Sequence, residues 1–249
     1  MSEYIGGIRS YDLFINLGSI LGSFLLIFLY YRKNGSWKKT FAVFLLSLAV
    51  VELGFFAGRL VRGLSYGTGE SFWELLVSPN GNHFIGRALF TVWVFPAAFR
   101  VFFQKDRKEW EGYLDMLCVF LTFQHIFNRL ACLFNGCCFG SYYDGIFALR
   151  YHEAGRSGAG YSYPVFPVQL FEMVCMAGLL TLLFLLYRKG KGLVRSFCCL
   201  FAFTVFLSEF MMDKRGVMLF AGLTAIQYAA VVLAFTGLAW EKLYRRYRY

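Results

Sequence analysis

Four polar residues recur at helical spacing in one apolar stretch of the chain. His125, Asn128, Arg129 and Cys132 stand at positions i, i+3, i+4 and i+7, so a helix would place them on one face. An arginine in apolar surroundings is costly and usually marks a functional site. Guanidinium binds phosphate bidentately, and an imidazole can take a proton from a nucleophile. The spacing therefore indicates phosphate recognition beside a proton acceptor.

This stretch runs into a glycine-rich turn that contains Asn135, Gly136, Cys137, Cys138 and Gly140. A metal or redox centre at the adjacent cysteines is one hypothesis. No Cys-x-x-Cys pair with partner ligands accompanies them, and adjacent cysteines form disulfides poorly. We therefore expect no metal site, while a thiol-redox role for Cys137 and Cys138 stays open as an alternative.

Composition places these residues in a membrane. The 249 residues are 58% hydrophobic and 20% aromatic, but only 16% are charged. Soluble domains are roughly a quarter charged. Seven apolar segments approach the ~20 residues that cross a bilayer, which predicts an all-α, polytopic integral membrane protein with about seven transmembrane helices. The predicted spans are 11–31, 41–59, 83–103, 113–134, 166–187, 194–212 and 217–239.

The basic residues predict an orientation. Sixteen of the 25 lysines and arginines lie in four segments that alternate along the chain, 32–39, 100–108, 188–195 and 242–248. The positive-inside rule makes these segments cytoplasmic, with the N-terminus outside and the C-terminus inside. The net charge of +10 thus reflects topology and lipid headgroups, and nucleic acid is not an expected partner. We predict one domain over residues 1–249, with an outward-facing loop at about 135–165.

Other polar residues in the spans point to the same end of the molecule. Gln169 and Glu172 share a helical face, as do His83 and Arg87, and Glu209 lies near the end of the sixth span. In the predicted orientation these groups lie in the outer half of the membrane, where we expect them to form one polar cavity. Arginine, carboxylates and histidine in such a cavity favour transfer chemistry on a lipid headgroup.

Four segments carry the distinctive motifs of the chain. They are Ile8-Arg9-Ser10-Tyr11-Asp12-Leu13, Arg129-Leu-Ala-Cys132-Leu-Phe-Asn135-Gly136 with Gly140, Pro167-Val-Gln169-Leu-Phe-Glu172, and Glu209 with Asp213 and Gly222-Leu-Thr-Ala-Ile-Gln227. In their order and spacing along most of the chain, these segments resemble motifs of the prolipoprotein diacylglyceryl transferase family of bacterial inner-membrane enzymes.

The resemblance implies a reaction. The family moves the diacylglyceryl group of phosphatidylglycerol to the lipobox cysteine thiol of a preprolipoprotein, and no cofactor is expected. The implied partners are phosphatidylglycerol or another phospholipid, the preprolipoprotein signal peptide and membrane lipids. The implied location is the bacterial inner membrane, with the active site opening to the outer leaflet.

The resemblance also suggests roles for single residues. Arg129 would bind the phosphate, and Tyr11 and Asn135 would line the lipid pocket. Glu209, a catalytic candidate, would orient the headgroup or basic residues together with Glu172 and Gln169. A thiol is a poor nucleophile until it is deprotonated, so a base is needed, and the candidates are His83 and His125. The further substrate-binding candidates are Arg87, Asn128, Gly136 and Gly140.

The chain departs from the family pattern at several positions. Cys132 stands where the family motif has asparagine, and Cys137 stands where it has glutamate. Val205 replaces an arginine four residues before Glu209, and Arg87 or Arg215 is a candidate for the missing positive charge. These departures predict a divergent branch whose donor or acceptor differs. They also keep open a non-catalytic lipid-binding or transport relative of the family.

Overall fold

Helices make up most of a computed structural model of the chain. The structure describes residues 4–5, 8–66, 71, 73–74, 83–103, 107–151, 163–213 and 218–246. Two short paired strands, β1 (Tyr4–Ile5) and β2 (Ile8–Arg9), precede the first helix. A 3-10 turn, Phe220–Gly222, precedes the last helix. The helices are α1 (Ser10–Asn34), α2 (Trp37–Tyr66), α3 (Phe84–Phe103), α4 (Arg107–Asn135), α5 (Val168–Arg188), α6 (Val194–Met211) and α7 (Ala225–Arg246).

The all-helical membrane architecture predicted from the sequence is confirmed. Among the described residues, α1 to α6 are long and apolar enough to cross a membrane, and α7 contains a shorter apolar portion, Ala225–Trp240. The protein is therefore a multi-pass membrane protein. The last helix begins at Ala225 rather than near residue 217, because Ala221 in the preceding turn has a left-handed φ of 53°. The orientation stays a prediction.

Helix α4 lies at the centre of the bundle. It packs against α1, α3, α5 and α6. Of the residues in its most apolar segment, 67% are buried, compared with 22% in the corresponding segment of α5. Gly18 approaches Phe127 while Gly22 approaches Phe120, so α1 and α4 run antiparallel. The helix that carries Arg129 is thus enclosed by protein rather than by lipid.

A buried network joins α1, α2 and α4 at the end of the bundle next to the basic segments. The Tyr30 hydroxyl lies 2.8 Å from the Ser47 hydroxyl, and the Tyr30 ring meets the Tyr113 ring edge-on. Two residues further along α4, the Asp115 carboxylate accepts a 2.7 Å hydrogen bond from the backbone N–H of Leu193, just before α6. These contacts fix the register of the helices whose opposite ends carry the polar residues.

The turn after α4 is attached to two other helices through its backbone. The N–H of Gly140 donates to the carbonyl of Phe166, just before α5, at 2.8 Å. The N–H of Ser141 donates to the carbonyl of Met211 at the end of α6, at 2.9 Å. A side chain at Gly140 would meet both carbonyls, so this glycine permits the close approach. Of the predicted outward loop, residues 152–162 lie outside the described part.

Gly86 in α3 provides a test of helix packing. A Cβ atom there would lie 2.7 Å from the backbone carbonyl oxygen of Ala57 in α2. We expect Gly86→Ala to destabilise the protein by about 1–3 kcal/mol through overpacking, measured as a lower unfolding temperature in detergent. Gly178→Ala is the control, because no described atom lies within 4 Å of its added methyl group. An equal loss in both variants would contradict this packing.

Candidate active site

A buried ion pair joins α4 to α5. Arg129 Nε donates a 2.6 Å hydrogen bond to Glu172 Oε2, and His125 Nε2 lies 2.9 Å from the same oxygen. The three residues are buried, with exposed fractions of 6%, 1% and 0% for Arg129, Glu172 and His125. A charge in such a place is stable only when it is paired and hydrogen-bonded. The predicted face of α4 therefore meets the predicted face of α5.

The pairing leaves part of the Arg129 guanidinium available. Within the described part of the chain, the close contacts of the Arg129 side chain with Glu172 and His125 both involve Nε. Guanidinium carries five N–H donors, and four of them are on the two terminal nitrogens. Glu172 thus holds the arginine in place while its terminal nitrogens can serve a further anion.

His125 is fixed on several sides. The rings of Phe84 and Phe201 meet it edge-on, with centroids 4.8 Å and 5.0 Å away. Nε2 lies 2.9 Å from the carboxylate and 3.4 Å from Arg129 Nε, and the shorter contact favours the tautomer in which Nε2 carries the proton and Nδ1 is the acceptor. Nδ1 is buried and has no hydrogen-bond partner among the described residues. The imidazole therefore presents an oriented, unused acceptor.

Gln169 connects the start of α5 to the cysteine turn. Its Nε2 donates a 2.5 Å hydrogen bond to the carbonyl of Cys137 and lies 3.4 Å from the Tyr151 hydroxyl. Its Oε1 is buried without a partner in the described residues. The structure thus gives Gln169 a positioning role in addition to the substrate contact predicted from the sequence, which stays a prediction.

His83 and Tyr11 lie beside this cluster. The His83 N–H donates to the carbonyl of Gly58 at 3.0 Å, which holds the residue at the start of α3. Burial, together with the positive charge of Arg129, lowers the pKa of His83 to about 3. His83 is therefore a neutral and weakly basic imidazole. Tyr11 in α1 lies within electrostatic range of Arg129 and Cys132.

The cysteine turn is the least expected part of the site. The Sγ atoms of Cys132, Cys137 and Cys138 all lie within 4.8 Å of one another. Hydrogen bonding from Cys132 and Cys137, helped by the charge of Arg129, holds the pKa of Cys138 well below its usual range. The hydrogen bond to Cys132 also lowers the pKa of Cys137, but the hydrogen bond to Cys138 and burial outweigh it and raise the pKa of Cys137 to about 12.

Arg87 has different neighbours. Its Nη2 donates to Glu52 Oε1 at 2.7 Å and its Nε donates to the Val51 carbonyl at 3.0 Å, so it joins α3 to α2. The Phe84 ring contacts both the Arg87 guanidinium and the His125 ring. Its substrate contact stays a prediction. Arg215, the other candidate for the missing positive charge, lies outside the described residues.

The remaining predicted residues surround the cluster. Glu209 is buried at the end of α6, beside Ser208, whose side chain interacts with Glu172. The Asn135 side chain hydrogen-bonds to Cys137, and Asn128 is half-buried on α4. Their substrate contacts stay predictions.

Two of the predicted glycines have local structural roles. Gly136 has a left-handed φ of 64° and packs against the Tyr151 ring, and Gly140 permits the backbone contacts described above. Sequence reasoning missed Tyr151 and Ser208 as parts of the site, and it placed Cys132 on the polar face of α4 without grouping its thiol with those of Cys137 and Cys138. The replacement of two motif residues by cysteine was the signal for Cys132, whereas Tyr151 had none because it reaches the site through the loop.

The protein is thus a multi-pass membrane protein built from a helical bundle. A buried Arg–Glu–His cluster between the helices gives it a polar interior like that of an enzyme. Residues 4–241 match the profile of the prolipoprotein diacylglyceryl transferase family. The chain belongs to this family, whose members are transferases of lipoprotein biosynthesis. A search of the curated proteins finds no match.

The ion pair makes a prediction about stability. Glu172→Ala leaves Arg129 buried without its carboxylate, so we expect a loss of about 3–5 kcal/mol in the free energy of unfolding. The double variant Arg129→Leu with Glu172→Leu removes both charges and should recover most of that loss. Unfolding in detergent by heat or denaturant measures both. A double variant as unstable as Glu172→Ala would contradict the pairing.

Proposed function

We propose that the protein transfers the diacylglyceryl group of phosphatidylglycerol to the lipobox cysteine of a preprolipoprotein in the bacterial inner membrane. The bond between the terminal carbon of the diacylglyceryl group and the phosphate oxygen breaks, and a thioether bond forms between the same carbon and the cysteine sulfur. Glycerol phosphate leaves with the electron pair. The thiol proton passes to a base in the site.

The Arg129 guanidinium carries this proposal. It is held through Nε by Glu172, and its terminal nitrogens remain to bind the phosphate bidentately. As the carbon–oxygen bond breaks, negative charge grows on the leaving phosphate. A preorganised cation in a site that excludes water stabilises such charge strongly. Membership of the family supports this assignment of the reaction class.

His125 is the base in this proposal. Glu172 accepts a hydrogen bond from Nε2 of His125 and orients the ring, while Nδ1 has an unused lone pair within the described structure. A base oriented by a carboxylate is the usual means of activating a weak nucleophile. His83 is the weaker candidate, because its Nδ1 already accepts a 3.4 Å hydrogen bond from the Ile85 N–H.

The position of the cluster supports an outward-facing site. Arg129 and Glu209 lie near the C-terminal ends of α4 and α6, and Glu172 lies near the N-terminal end of α5. These ends are opposite to the ends that adjoin the basic segments, which the positive-inside rule makes cytoplasmic. Phosphatidylglycerol in the outer leaflet and a translocated lipobox would reach this side.

A non-catalytic lipid-binding role is the second candidate. Val205 is buried with 1% exposure at the position where the family motif has an arginine, so one positive charge is missing from α6. A protein that kept Arg129 and lost this charge would bind the lipid phosphate without releasing it. Binding of labelled phosphatidylglycerol with no release of glycerol phosphate would favour this candidate.

A transfer assay tests the role of Arg129. Purified protein, labelled phosphatidylglycerol and a lipobox peptide should yield thioether product and glycerol phosphate. We expect Arg129→Ala to lower the rate by about 10²–10³, which is typical for loss of one charge-stabilising donor. Arg188→Ala is the control, because Arg188 is exposed at the opposite end of α5. Equal rates for Arg129→Ala and the unaltered protein would refute the proposal.

A second pair of variants separates the two histidines. We expect His125→Gln to lower the rate constant of transfer by about 10²–10⁴, the usual contribution of a general base. His83→Gln removes a weakly basic group and should retain more activity. Single-turnover transfer at saturating peptide measures this step, with lipid binding as the parallel readout. Greater loss in His83→Gln would assign the base to His83 instead.

A further inference from the structure

The three thiols beside the ion pair form a cluster that the transferase reaction does not use. Cys132 belongs to the last turn of α4, and Cys137 and Cys138 follow in the turn. None of the seven cysteines forms a disulfide, and within the described residues these three are the only group of three thiols whose Sγ atoms all lie within 4.8 Å of one another. The end of α4 and the turn that follows it therefore bring the three thiols close together.

The backbone of the cysteine turn has an unusual conformation at two residues. Gly136 has a φ of 64°, and Cys138 has a φ of 58°, which side-chain-bearing residues rarely adopt. The N–H of Cys137 also donates to the carbonyl of Cys132 at 3.1 Å. A left-handed non-glycine residue persists only where the surroundings impose it, and such residues concentrate at functional sites.

The distances suit coordination of a thiophilic cation. Zinc–sulfur bonds are about 2.3 Å long, so two thiolates in a tetrahedral shell lie about 3.8 Å apart. The spread of 4.8 Å between the Sγ atoms needs only a small contraction to reach this value. Three thiolates and a divalent cation carry one net negative charge, and Arg129 lies within electrostatic range of Cys132 and Cys138.

We propose that Cys132, Cys137 and Cys138 form a binding site for a thiophilic d¹⁰ cation of the Zn²⁺ class, with the fourth coordination position open. Thiolate ligands select such cations over Mg²⁺ or Ca²⁺. The proposal also accounts for the two departures from the family motif, since an amide and a carboxylate are both replaced by thiols. It goes beyond the transferase activity and does not rest on it.

The surroundings of the cluster provide support for its ligands. Gln169 donates to the carbonyl of Cys137 and fixes the turn from α5. The Asn135 side chain hydrogen-bonds to Cys137. Such outer contacts orient ligands and raise metal affinity. The site therefore has ligands, a supporting shell and a nearby compensating charge.

Metal titration of the whole protein tests the proposal. The protein is purified in detergent, reduced, freed of metal with a chelator, and titrated with Zn²⁺ against a chromophoric competitor. Co²⁺ serves as the spectroscopic probe, because thiolate ligands give near-ultraviolet charge-transfer bands. We expect one Zn²⁺ per chain and those bands. Absence of stoichiometric binding by the reduced, folded protein would overturn the proposal.

Serine variants locate the site. We expect Cys137→Ser and Cys138→Ser to weaken Zn²⁺ binding by about 100-fold or more, since even outer-shell changes cost 10–100-fold. Cys175→Ser is the matched control, because Cys175 lies in α5 outside the cluster, and its affinity should be unchanged. Thermal unfolding without metal confirms that each variant is folded.

The same variants distinguish a thiol-redox function. Unchanged Zn²⁺ affinity in folded Cys137→Ser and Cys138→Ser would overturn the proposal. A disulfide within the cluster after isolation without reductant, combined with no Zn²⁺ binding once it is reduced, would also overturn it. That second result would assign the thiols to redox chemistry.

Discussion

The buried ion pair between Arg129 and Glu172 is the constraint on which the rest of the bundle depends. A guanidinium inside apolar protein needs a fixed negative partner, because its burial is otherwise prohibitive. The partner comes from α5, so α4 and α5 must pack in one register and at one depth. Enclosure of α4 by its neighbours keeps this pair away from lipid.

One carboxylate organises two functional groups. Glu172 Oε2 holds both Arg129 and His125, and it leaves the terminal nitrogens of the arginine and Nδ1 of the histidine for other partners. An anion-binding group and a proton acceptor are thereby fixed side by side. This arrangement suits a reaction in which a phosphate leaves while a thiol loses its proton.

The cysteine turn adds a second kind of chemistry next to the first. Gln169 contacts the backbone of Cys137 from the same helical face that carries Glu172. Arg129 belongs to the ion pair and also lies within electrostatic range of Cys132 and Cys138. A cation bound at the thiols would therefore change the electrostatic environment of Arg129.

Local pattern determined much of this protein. Apolar segment length gave the helices, and the 3.6-residue period placed His125 and Arg129 on one face and Gln169 and Glu172 on another, because these are properties of single helices. Tertiary structure decided which faces meet. It paired Arg87 with Glu52, and it brought Cys132 to Cys137 and Cys138. Such contacts depend on helix packing and on left-handed turn residues, which no local period encodes.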